Sequence, residues 1–159
     1  MTQASAPRGA APVGLLTELG AFECAAILYL RLWCDSIEAQ RQVGDDFARV
    51  LGRARGRNAA RSLGQLCELC SRYGRRPMAR HQVGCQCLGG DESCFAQLVA
   101  AAADGDRDDA MMLAALIVRA DVASALVAFA ESYGLALRSL TRACLAEIPA
   151  RPDTAPTLH

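Results

Sequence analysis

Apolar residues recur along this chain at intervals of three and four. Leu15, Leu19, Phe22, Ala26, Tyr29 and Trp33 form the first such stripe, with apolar neighbours around it. The pattern predicts a central helix that continues through Ile37 toward Gln42 and stops before Gly44. Asp45 or Asp46 is placed to cap a short helix carrying Phe47, Val50 and Leu51, and the Gly-Arg alternation from Gly52 to Arg57 reads as a connector. Asn58 caps the next predicted helix, with Leu63, Leu66, Cys67, Cys70 and Tyr73 on one face and Gly74 at its end.

Residues 75–90 break the periodicity with Pro77, glycines and cysteines, and are expected to form a loop. Beyond it, Asp91 starts a helix that buries Phe95, Leu98, Val99 and Ala102, and Asp104-Gly105-Asp106 turns the chain. Met112 and Leu116 mark another helix. Asp121 caps one that carries Val122, Leu126, Phe129 and Tyr133 and closes at Gly134, and a last runs through Leu137, Leu140, Cys144 and Ile148 to Pro149. No alternating strand pattern stands out. The expected fold is all-α, with six or seven helices in a bundle-like or orthogonal packing and a Cys/His-rich loop in the middle of the chain. A single helical domain over 14–148 is expected between disordered tails at 1–13 and 149–159, which are rich in Pro, Ala and small residues.

Composition sharpens this picture. Abundant alanine and leucine favour helices, and 159 residues suffice for one core. The apolar stretch from Leu15 to Trp33 contains Glu18, Glu23 and Arg31, which argues against a membrane span, and residues 1–14 lack the signature of an export signal. A cytoplasmic protein with reduced thiols or thiolate metal ligands is therefore expected, rather than a disulfide framework.

Charge is balanced overall but not along the chain. Ten arginines between Arg41 and Arg80 face only Asp45, Asp46 and Glu68, whereas eight acids between His81 and Glu131 face Arg107 and Arg119. One half is expected to dock on the other. Alternatively, Arg49, Arg53, Arg55, Arg57, Arg61, Arg75, Arg76 and Arg80 bind nucleic acid through its phosphates. Asp91-Glu92 and the acids from Asp104 to Asp109 fall at predicted helix starts, where they complement the helix dipole.

The chemically dense region is Cys67-x-x-Cys70 followed by His81, Cys85, Cys87 and Cys94. Zinc takes four thiolate or imidazole ligands, and closely spaced pairs bring two to one ion with little loop-closing entropy. The expected ligands are Cys67, Cys70, Cys85 and Cys87, with His81 and Cys94 as alternates. An iron–sulfur cluster ranks lower because no ferredoxin-like spacing is present. Cys67 and Cys70 also lie on an apolar stripe, where free cysteine is a small buried hydrophobe, and Cys24, Cys34 and Cys144 read as core thiols. No catalytic motif stands out. The function expected first is a non-enzymatic accessory or regulatory protein with a structural or redox-responsive zinc site, acting on a protein partner or as a homodimer. A nucleic-acid-binding regulator is the second reading. A thiol-redox sensor or enzyme centred on Cys85 and Cys87, near cationic Arg75, Arg76, Arg80 and His81, is the third.

Overall fold

A computed structural model of the chain describes residues 7–148. Among these residues the fold is all-α, with six helices and one small two-stranded sheet. In chain order the elements are β1 (Pro12–Leu15), α1 (Ala21–Asp35), α2 (Ile37–Leu51), α3 (Arg53–Tyr73), β2 (Cys87–Gly89), α4 (Gly90–Asp104), α5 (Arg107–Ile117) and α6 (Ala123–Ala146). The helix expected to be central, α1, packs against α2, α3, α4 and α6, but α6 touches all five other helices and forms the spine of the bundle. Phe47, Phe95, Leu63, Leu66, Leu126 and Tyr133 are fully buried where these helices meet. No helix among the described residues is long and apolar enough to cross a membrane.

Helix boundaries depart from the periodicity where local chemistry or close packing intervenes. The first helix does not run on past Ile37. Ser36 is extended, its Oγ accepts from the Ala39 amide at 3.1 Å, and the Gln40 side chain donates to the Trp33 carbonyl at 2.8 Å, so one helix is capped as the other ends. Gly44 does not stop α2, because burying Ala39, Val43 and Phe47 along one face outweighs the cost of a helical glycine, about 1 kcal/mol. The connector between α2 and α3 is Gly52 alone, at φ +86°. Gly56 belongs to α3, where a Cβ would lie 2.6 Å from the Ala48 amide nitrogen; the glycine lets the two helices approach backbone to backbone. Asn58 accordingly lies inside α3 and caps nothing.

Gly134 was expected to end a helix, yet it sits within α6, where a Cβ would come 2.8 Å from both the Val99 carbonyl and the Ala103 Cβ of α4. The two helices expected there are one. Residues 8–13, expected within a mobile tail, form a 3-10 turn and the first half of β1, which pairs antiparallel with β2 through Pro12 opposite Gly89, Gly14 opposite Leu88 and Leu15 opposite Cys87. Strands this short carry too little alternation to be read from sequence. The rest of the expected tails, 1–6 and 149–159, lies outside the described residues.

Candidate functional site

The loop between α3 and α4 is fixed by two consecutive carboxylates at the start of α4. The side chains of Glu92 and its partner Arg31 are both wholly shielded from solvent, and Arg31 Nε donates to Glu92 Oε1 at 2.7 Å. The guanidinium also reaches Glu92 Oε2 at 2.9 Å, and the carbonyls of Gln82, Cys85 and Cys87 at 3.2, 2.6 and 2.7 Å. Glu92 in turn accepts the backbone amides of His81 and Gly89, each at 3.0 Å. Burial works to raise the Glu92 pKa, but hydrogen bonds from Arg31, Gly89 and His81 hold it below the usual carboxylate range. Beside it, Asp91 takes a bidentate pair from Arg76, at 2.9 and 2.6 Å, and the Ala79 amide at 2.7 Å.

These contacts anchor the glycine-punctuated loop that had suggested a metal. The six candidate ligands divide between separate surroundings. Cys67 and Cys70 project from α3, and the Cys67 sulfur lies 4.0 Å from that of Cys34 on α1. Cys85 lies 3.7 Å from His81 Nδ1. His81 Nε2 meets the Ala10 carbonyl at 3.0 Å, and because a carbonyl can only accept, Nε2 donates this hydrogen bond. Cys87 sits against Cys85, whose sulfur pushes its thiol pKa up. Burial raises the Cys94 thiol, assisted by Asp91. The expected set Cys67, Cys70, Cys85 and Cys87 is thus not brought together, and among the described residues no three His, Cys, Asp or Glu side chains gather closely enough to hold a metal ion.

Cys34, expected as a core thiol, is only partly buried. It lies near the end of α1 and borders a cavity of about 940 Å³ together with Cys67, Cys70, Arg75, Arg76 and Arg80. The hydrogen bond with Cys67 lowers the Cys34 pKa to about 7 despite partial burial, with Arg80 adding a smaller pull. Cys67 moves the other way, pushed up first by its bond to Cys34 and then by burial. The two thiols titrate as a pair, in which the shared hydrogen bond pulls the first ionisation down and pushes the second up. Burial takes Cys70 to about 12, so it stays a neutral thiol. No family model, curated protein or solved structure matches this chain.

The arginines named as a nucleic-acid surface are all exposed, but they do not act as one group. Arg53, Arg55, Arg57 and Arg61 lie in the first half of α3 and Arg49 near the end of α2, while Arg75 Nε donates to the Ala115 carbonyl at 2.6 Å and Arg76 is held by Asp91. The expected docking of the basic half on the acidic half comes down, among the described residues, to the single ion pair Arg76–Asp91.

A signal for the buried pair was present in the sequence. Arg31 follows Ile27 by four on the apolar side of α1, and an arginine there requires a buried acceptor. Nothing in the spacing of Cys34 and Cys67, 33 positions apart, marks them as neighbours.

Proposed function

We propose that this protein is a dithiol redox protein, a sensor or small oxidoreductase, in which Cys34 and Cys67 interconvert between two thiols and one disulfide. The observation that carries this reading is the 4.0 Å contact between the two sulfurs on different helices, at the wall of a cavity. A disulfide bond is about 2.05 Å long, so the two sulfurs must approach by about 2 Å for it to form. The ionised member of such a pair is the nucleophile, and its low pKa makes Cys34 reactive near neutral pH. This moves the thiol-redox reading from Cys85 and Cys87, neither of which borders that cavity.

Treating the fully reduced chain with one equivalent of diamide and mapping its peptides without reductant tests the reading. A Cys34–Cys67 crosslink as the dominant product, reversed by dithiothreitol with the fold retained, supports it. Crosslinks that leave both cysteines out would overturn it.

A further inference from the structure

The wall of the thiol cavity carries a charge pattern that points to the kind of molecule exchanging electrons there. Five charged side chains border it: Arg75, Arg76 and Arg80 against Asp35 and Glu68. Asp91 neutralises Arg76, and Arg72 lies 3.3 Å from Glu68. That leaves two guanidinium groups against one carboxylate. Arg75 is held through Nε by the Ala115 carbonyl, which leaves its terminal nitrogens to donate, and Arg80 makes no ion pair among the described residues. A cavity of about 940 Å³ is of small-molecule size, and guanidinium groups at its rim bind carboxylates in bidentate fashion.

We infer that the cavity takes small disulfides bearing carboxylates, which Arg80 and Arg75 hold while Cys34 attacks. This rests on the dithiol reading of Cys34 and Cys67. The Cys34 thiolate attacks one sulfur of R–S–S–R, forming the mixed disulfide Cys34–S–S–R and expelling R–S⁻, which takes a proton from solvent. Cys67 then loses its proton to solvent and attacks the Cys34 sulfur, expelling the second R–S⁻, which is protonated in turn. Overall the small disulfide gains two electrons and two protons and leaves as two thiols, while Cys34 and Cys67 are oxidised to one disulfide.

Three disulfides of similar reach separate charge from chemistry: 3,3′-dithiodipropionate, with two carboxylates; 2-hydroxyethyl disulfide, neutral; and cystamine, with two ammonium groups. Each is mixed with the reduced full chain at low ionic strength, and formation of the Cys34–Cys67 crosslink is timed by mass spectrometry. Rates are divided by those of the same reagent with a free small thiol. The expected anion-to-cation ratio is about tenfold or more, collapsing toward one in high salt and in Arg80→Ala. Comparing reagents within one variant cancels any change in how much Cys34 is ionised. A ratio near one, or one that Arg80→Ala leaves unchanged, overturns the substrate inference while the dithiol reading stands. No Cys34–Cys67 crosslink with any of the three reagents, the neutral one included, overturns the dithiol reading itself.

Discussion

Arg31 and Glu92, 61 positions apart, form a closed hydrogen-bonding unit: all five guanidinium N–H donors find acceptors inside the protein. Two go to Glu92 and three to carbonyls of the loop that carries His81, Cys85 and Cys87. A buried ion pair contributes little net stability compared with a well-packed apolar pair, but removing one partner leaves an uncompensated charge. The unit therefore sets the loop's shape.

Replacing Glu92 with Gln is expected to cost about 3–5 kcal/mol, read as a lower urea midpoint, because Arg31 keeps its charge without a counterion. Amides of residues 81–89 should exchange hydrogen faster than those of α6. The pH dependence has a definite sign. The folded Glu92 pKa lies below its unfolded value, near 4.5, so its stabilisation is complete above that value and is lost as pH falls through the folded one. The urea midpoint of the native chain should drop on acidification below pH 4.5 more steeply than that of Glu92→Gln.

Alkylation separates the thiols. Cys34 should react with iodoacetamide along a titration curve centred near pH 7, while Cys70, at about 12, stays silent through pH 9. In Cys67→Ala the Cys34 curve should move up toward the ordinary thiol value, since the lost hydrogen bond is the largest cause of the shift. Arg80→Ala should move it less. Peptide-resolved rates of carbamidomethylation check both shifts, and a curve that Cys67→Ala does not move would show that the contact leaves Cys34 unactivated.

Two glycines in helices should respond in opposite ways to alanine. A Cβ at Gly44 meets nothing within 4 Å, so Gly44→Ala should stabilise the protein by about 0.4–1 kcal/mol through the unfolded chain's lost freedom. At Gly134 the same group runs into the Val99 carbonyl and the Ala103 Cβ at 2.8 Å, and overpacking of about 1–3 kcal/mol should exceed the helical gain. Thermal melts of the two variants give the comparison.

Tyr133 is fully buried, and among the described residues its hydroxyl finds no hydrogen-bond partner. Its ring centroid lies 6.4 Å from that of Phe47 in the core. Because an unpaired buried hydroxyl costs about 1–3 kcal/mol, Tyr133→Phe should leave stability unchanged or raise it. A clear fall in the denaturation midpoint would reveal a partner for that hydroxyl.

The all-α class, the stop at Gly74, the loop after it and the turn at Gly105 were legible in the sequence. Each follows from a signal within one turn of chain: apolar spacing of three and four, a helix-ending glycine, or an acid-rich cap. Gly44, Gly56 and Gly134 misled because a glycine has the same letter whether it ends a helix or admits a neighbouring one. Only the packing of α2 on α3 and of α4 on α6 tells these cases apart. The cysteines show the same division. Close spacing made Cys67, Cys70, Cys85 and Cys87 look like one group, but a helix and the loop after it carry side chains into different surroundings. Tertiary structure instead set Cys34 beside Cys67, and Arg31 beside Glu92. Both pairs join residues far apart in sequence, and their partnership exists only once α1 has packed against α3 and α4: the apolar setting of Arg31 calls for a buried acceptor, but nothing in either partner's local sequence says which residue the other is.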